Sequence, residues 1–351
     1  MRQLGVGIVG TGLAFERLHL PAYRSLGEQY RITALCDQDL EAAGAWARRL
    51  GVPTERVTAD PAELARWGDV DVVDIMVPIP VNFRVTQQVA AALAHSAKGI
   101  ICEKPLAATR REAAAARRLP EKYGIPILIA ENYRYDEENE KIRQMVAERW
   151  VGDPVYLVRN RVLDMPEQMR GRGFAATEWR QHPDFPGGVI LDTGVHDIAA
   201  LRHIFGPVAE VQAYGVPQDD DFAPFAALQA GIRFSGGVIG QYSFFSAGGE
   251  PQRPLVGLRI FGTRGMIFLE EEGCGTINVA HADGRSEQVA YTPGQGYRRE
   301  LLNLYHHLTG AQPLAVPPEI EFGDARTMLA IIRSAQRGQR VTLEREPVPV
   351  P

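Results

Sequence analysis

The chain has 351 residues, 45% hydrophobic and 23% charged, with a formal net charge of −5 at pH 7. This is globular usage at a length that suits two domains, and it excludes collagenous, fibrous and disordered classes. The acidic balance offers no basic footprint for nucleic acid and no cationic face for a membrane surface, and no apolar run reaches the roughly 20 residues of a membrane-spanning helix.

Cys36, Cys102 and Cys274 lie far apart and form no CxxC pair, so they build neither a disulfide framework nor a zinc ribbon. They read as buried thiols of a reducing compartment. The first residues, MRQLGVGIVG, run straight into an apolar strand without the charged and apolar regions of a secretory leader. The expectation is a cytoplasmic protein.

Strands are predicted at Gly5 to Val9, Ile32 to Cys36, Val72 to Met76, Gly99 to Cys102 and Ile125 to Ala130. Helical patterns fill the gaps at Leu13 to Leu26, Leu40 to Leu50, Pro61 to Trp67, Phe83 to His95 and Arg110 to Tyr123. That alternation is the βαβ signature, and the unbroken hydrophobicity of the strands suits a sheet covered on both faces. Residues 1–131 are therefore predicted to form a doubly wound parallel sheet.

From 132 onward the texture changes. A helix at Glu137 to Trp150 leads into strands at Val155 to Val162, Val208 to Val216, Phe225 to Phe234, Gly237 to Phe245, Leu255 to Phe261 and Met266 to Glu270. Turns such as Ser235-Gly236-Gly237 predict antiparallel pairing. Helices follow at Tyr297 to Leu308 and Asp324 to Arg337, then a Pro-containing tail after Glu346. Residues 132–351 read as an α+β domain with an open, mainly antiparallel sheet. Such a sheet leaves one apolar face uncovered, the usual mark of an interface.

Gly7-Ile8-Val9-Gly10-Thr11-Gly12 ends the first strand and opens the first helix, where a dinucleotide's pyrophosphate sits on a helix N-terminus. Gly10 permits the tight turn and Gly12 lets the backbone approach the phosphates. Phe15 stands where a third small residue is usual. Asp37 ends the second strand, placed to bind the adenosine ribose and to repel a 2′-phosphate. That favours NAD over NADP. Asp39 is the better helix cap.

At Ile101-Cys102-Glu103-Lys104-Pro105-Leu106 the chain resembles the glucose-fructose oxidoreductase and inositol dehydrogenase family, Gfo/Idh/MocA. His19-Leu20-Pro21-Ala22, Asp71 to Pro80, Gly187 to His196 and Ile332 to Gly338 resemble it too, so the likeness runs through essentially the whole chain. It implies a Rossmann domain and hydride transfer between a nicotinamide and a hydroxyl-bearing carbon of a sugar, inositol or related polyol. It implies cofactor contacts from Gly10, Thr11, Gly12, Leu13, Asp37, Pro78, Glu103 and Lys104. Lys104, Asp192 and His196 become the catalytic cluster: His196 for proton transfer, Lys104 for the developing oxyanion, Asp192 for a substrate hydroxyl. Asp192 lies four residues before His196, so on a helix they share a face. The same likeness implies a homodimer or homotetramer through the second sheet.

Asn82 stands where many relatives have a histidine, and Ala199 stands where an aspartate is common, while Asp197 directly follows His196. Arg159 to Pro186 is rich in arginine and aromatics, and Arg180 from it is a candidate substrate contact, suited to a carboxylate or phosphate. Three alternatives stay open: a non-catalytic NAD(P)-binding regulator, a redox-cycling hydrolase or epimerase with bound NAD, and a metal site at His182, Asp184, Asp192 and His196. The last set has no recognised ligand spacing beyond its i, i+4 pair, and no metal is assigned.

Overall fold

A computed structural model describes residues 2–248 and 256–346. Leu255, which opens a predicted strand, and the tail after Glu346 lie outside the described residues. The chain divides into two compact units. One holds the residues up to Asn132 together with Gly296–Phe322, and the other holds Tyr133–Gln295 together with the residues from Gly323 on.

The first unit contains β1 (Leu4–Val9), β2 (Tyr30–Cys36), β3 (Val57–Thr58), β4 (Val72–Ile75), β5 (Gly99–Glu103) and β6 (Ile127–Ala130). Every pairing is parallel and the order is β3-β2-β1-β4-β5-β6. This is the dinucleotide-binding order, with its switch point between β1 and β4. Val6, Ile8, Leu35, Val72, Ile75 and Ile101 are fully buried, as helices on both faces require. The two-residue β3 is too short to show in the hydrophobic pattern.

The helix predicted over Leu13 to Leu26 is broken into a π-helical turn at Phe15–His19 and an α-helix at Leu20–Ser25. Phe15 fills the place of the missing small residue by packing edge-on against Trp46, ring centroids 5.2 Å apart. The wider turn carries His19 into the interior, where it is 1% exposed.

A boundary between 131 and 132 does not account for Gly296–Phe322, which packs with the first unit. The Tyr30 hydroxyl donates to the Leu301 carbonyl at 2.8 Å, and the Ile129 amide donates to the Val316 carbonyl at 2.9 Å. Gly99 has no side chain where Leu308 approaches. These contacts join residues too distant in sequence for local pattern to reveal.

The second unit contains β7 (Pro154–Val162), β8 (Val208–Pro217), β9 (Phe225–Phe234), β10 (Ile239–Phe245), β11 (Val256–Gly262), β12 (Gly265–Leu269), β13 (Thr276–His281), β14 (Ser286–Ala290) and β15 (Val341–Thr342). Their order is β14-β13-β12-β11-β7-β10-β9-β8-β15. All pairs are antiparallel except β7 with β10. The connection from β7 to β10 is long and includes the helix Val189–Phe205, which allows the crossover a parallel pair needs. One face of this sheet carries Arg159, Arg161 and Tyr242, all buried. The other carries Tyr156 and Ile239, paired across β7 and β10, and Tyr214 and Val216 of β8, all exposed. Cys274 is exposed, unlike the buried Cys36 and Cys102, because it lies in the turn before β13.

Candidate active site

In the first unit the segments singled out in the sequence all follow the carboxyl ends of neighbouring strands. Gly10 follows β1, Asp37 follows β2, Pro78 lies beyond β4 and Lys104 follows β5. Open α/β sheets bind ligands outside these ends, at the switch point. Gly10 has φ +94°, and a Cβ there would lie 2.3 Å from the Met76 carbonyl oxygen, so no other residue fits. Its amide donates to the Cys36 carbonyl at 2.8 Å.

Asp37 braces the turn. One carboxylate oxygen accepts from the Thr11 amide at 2.7 Å and the Thr11 hydroxyl at 2.8 Å, and the other accepts from the Asp39 amide at 3.0 Å. Asp39 caps the helix Leu40–Leu50 through the Ala42 amide, as its position predicts. A Cβ on Gly12 would meet nothing within 4 Å, so the turn faces open space there. An open glycine turn at a helix start, beside a carboxylate at the end of β2, fits a dinucleotide's pyrophosphate and ribose. Leu13 opens the helical turn and Pro78 is exposed at the start of the helix Ile79–Ala92.

The Lys104 segment is held by its own unit. The Asn82 amide donates to the carbonyls of Glu103 at 2.5 Å and Pro105 at 3.2 Å, so the residue that replaces a histidine is a buried brace. The Leu106 amide donates to Glu321 Oε1 at 3.3 Å. Glu103 turns its carboxylate inward, toward His19 and the Lys104 amide.

In the second unit Asp192 and His196 both lie on the helix Val189–Phe205, one turn apart. The chain enters that helix through Gly188, at φ +49°, where a Cβ would strike the Phe222 carbonyl oxygen at 2.1 Å. Arg180 Nε donates to Asp192 Oδ2 at 2.7 Å, and its guanidinium lies 4.0 Å from the Trp179 ring centroid. His196 stacks on Tyr133, which composition and motif had not marked. Arg180, Asp192 and His196 thus belong to one unit and Lys104 to the other.

Asp197, next to His196, points into the sheet. Its carboxylate accepts from Arg159 Nε at 2.9 Å, Arg161 Nε at 2.6 Å and the Tyr242 hydroxyl at 2.9 Å. Burial alone would push this carboxyl up, but the Arg161 and Arg159 guanidiniums hold it well below the usual carboxylate range. Arg161 Nη2 also donates to the Tyr133 hydroxyl at 3.2 Å, and that hydroxyl donates to Glu272. Burial pushes the Tyr133 phenol up, so it stays protonated.

Arg159 and Arg161 are therefore strand residues committed to Asp197, not loop residues offered to an anionic substrate. Their spacing of two, on a strand, already puts them on one face. Glu272 and Tyr242 carried no local signal. The suggested metal set is dispersed: His182 pairs with Asp221 at 3.2 Å, and Asp184 is exposed. Among the described residues no group of three His, Cys, Asp or Glu is arranged to hold a metal ion.

Residues 4–130 match the oxidoreductase family with an NAD-binding Rossmann fold, GFO/IDH/MocA, and residues 139–268 match the GFO/IDH/MocA C-terminal domain. The chain is 25% identical to 1,5-anhydro-D-fructose reductase of Ensifer adhaerens, over 96% of this chain and 98% of that one. It is 24% identical to D-xylose 1-dehydrogenase (NADP(+)) 2 of Haloferax volcanii, over 96% and 99%. The crystal structure of an oxidoreductase from Thermotoga maritima superposes with a TM-score of 0.85 at 27% identity, covering 97% of this chain and 98% of that one.

Proposed function

Because the chain belongs to the Gfo/Idh/MocA family of NAD(P)-dependent oxidoreductases, we propose that it interconverts a secondary alcohol of a sugar, inositol or related polyol and the matching carbonyl by hydride transfer, with NAD in preference to NADP. The observation that carries this reading is the carboxyl edge of the parallel sheet, where Gly10, Gly12, Asp37 and Lys104 all stand. Gly10, Thr11, Gly12 and Leu13 would hold the pyrophosphate, and Asp37 the adenosine ribose, with Pro78 beside the path beyond β4. A bound nicotinamide supplies or accepts the hydride.

The chain's own residues then manage the proton and the charge on oxygen. His196 takes the hydroxyl proton, and such base help contributes about 10²–10⁴ in rate. Lys104 offsets the negative charge that develops on the oxygen. Asp192, oriented by Arg180, accepts from a neighbouring substrate hydroxyl. With Arg180 already neutralised by Asp192, the second unit favours a neutral sugar over a sugar acid.

Tyr156, Tyr214, Val216 and Ile239 give the outer sheet face an exposed apolar character, which supports a dimer or tetramer assembled through it. Among the described residues no helix is long and apolar enough to cross a membrane.

The test is a screen of NAD and NADP reduction over inositols, aldoses, anhydrosugars and sugar acids. Turnover on at least one neutral sugar or polyol is expected. Tight NADH binding with no turnover on any of them would overturn the reading in favour of a binding-only protein.

A further inference from the structure

The first unit buries a histidine that the proposed chemistry does not use. His19 Nδ1 lies 2.8 Å from Asp74 Oδ2, and its Nε2 lies 3.1 Å from Glu103 Oε1. Ionised carboxylates only accept hydrogen bonds, and a neutral imidazole has a single N–H. Both contacts are satisfied together only when both ring nitrogens carry protons. Asp74 also accepts from the Tyr23 hydroxyl at 2.9 Å, and the second oxygen of Glu103 accepts from the Lys104 amide at 3.1 Å.

The groups facing His19 come from several elements. Asp74 comes from β4 and Glu103 from β5, Tyr23 lies on the following helix, and Tyr297 of the helix Gly296–Leu308 sits with its ring centroid 5.8 Å from the imidazole. Glu300 of that same helix is fully buried nearby, and burial pushes its carboxyl well up, which favours the neutral acid. Burial would pull the His19 imidazole down, but Asp74, and then Glu103, hold it well above its ordinary value.

We propose that His19 is a positioning residue for Lys104: anchored on Asp74, its ring fixes the Glu103 carboxylate, whose far oxygen holds the Lys104 backbone in place. The chain of contacts runs from β4 through the π-helical turn to the residue after β5 without leaving the first unit. A charged ring gripped at both nitrogens has no freedom to rotate, so Glu103 is presented to Lys104 in one orientation. The kinetic consequence rests on the proposed role of Lys104. The structural consequence does not.

The experiment uses the full chain, uniformly labelled with 15N-histidine, together with His19→Gln and Glu103→Gln. Two ring N–H signals that vanish in His19→Gln are expected to persist to about pH 8, beyond the range of an ordinary histidine. Hydrogen exchange at the Lys104 amide, corrected for its intrinsic rate, is expected to accelerate about tenfold in His19→Gln, with β1 and β2 unchanged. In the wild type the same acceleration is expected over the pH range in which the ring signals are lost. A structural filler at position 19 would not produce that coincidence. If His19→Gln does not fold, Glu103→Gln carries the test, because one amide oxygen cannot hold both the imidazole and the Lys104 amide.

On a sugar found by the screen, kcat is expected to fall by about tenfold in the variants with a smaller change in NADH affinity. A single ring N–H at neutral pH, or unchanged exchange at Lys104, overturns the proposal. A protein that oxidises no sugar overturns the functional reading alone, since the ring signals and amide exchange still decide this one.

Discussion

Tyr133 stacks on His196 with ring centroids 4.5 Å apart and planes 23° from parallel. The phenol is itself held by Arg161 and Glu272, so the imidazole lies against a fixed plate. Small misplacements of a reacting group are costly, since about 1 Å is worth up to 10² in rate. Tyr133→Leu is therefore expected to lower kcat by about tenfold. Tyr133→Phe keeps the stacked ring but loses both bonds of its hydroxyl, so an intermediate loss of about threefold is expected. Steady-state kinetics on the preferred sugar, with NADH binding as the control, checks both.

Lys104→Ala removes the proposed oxyanion partner. A loss of about 10²–10³ in kcat is expected, the scale for one well-placed donor. NADH titration by fluorescence should still show binding. Undiminished turnover would remove Lys104 from the chemistry.

Asp197→Asn leaves the buried Arg159 and Arg161 with Glu272 in place of two carboxylates, and losing one partner of a buried ion network costs about 3–5 kcal/mol. The native pKa of Asp197 is depressed by those arginines. Its contribution to stability is thus complete above the unfolded carboxyl value near pH 4 and is lost as pH falls through the lower native value. Urea unfolding at neutral pH should show the deficit, and the gap to wild type should close in strong acid.

Glu300 has the opposite sign. Both of its carboxyl oxygens are buried without a hydrogen-bond partner. Its native pKa is raised by burial, so what the neutral acid contributes is present below the unfolded value near pH 4 and is lost as pH rises through the native value. Glu300→Gln cannot ionise. Thermal melts should show the variant gaining on wild type steadily from about pH 5 to pH 8.

Asp37→Asn keeps an oxygen for the Thr11 amide but removes the charge that would oppose a 2′-phosphate. The ratio of NADPH to NADH affinity is expected to rise by at least about tenfold, since juxtaposed like charges cost several kcal/mol. Parallel fluorescence titrations measure it. An unchanged ratio would leave cofactor choice to some other group.

The first sheet was legible because each buried strand is an apolar run and each turn at its carboxyl end carries glycine, aspartate or lysine. β3, with two residues, was too short to register, and the π-helical turn at Phe15–His19 keeps the apolar spacing of an ordinary helix. β13 alternates only Ile277 and Val279 inward over six residues, and β14 is largely exposed, so neither stands out as an apolar run. Within the candidate site Asp192 and His196 could be paired from their spacing of four. Tyr133 and Glu272 could not, because their bonds to Arg161 span 28 and 111 residues of chain. Arg159 and Arg161 fall inside the predicted strand Val155 to Val162, and their spacing of two points to one face that, once buried, needs a counterion.

The return of Gly296–Phe322 to the first unit bears on how the polypeptide matures during synthesis. When Asn132 leaves the ribosome, the parallel sheet has all six strands but lacks the carbonyls that receive the Tyr30 hydroxyl and the Ile129 amide. Every strand of the other sheet except β15 must be translated before those partners arrive. The nucleotide-binding half is started before the other half and finished after most of it, so a nascent chain arrested after residue 132 would present an open hydrophobic flank to chaperones.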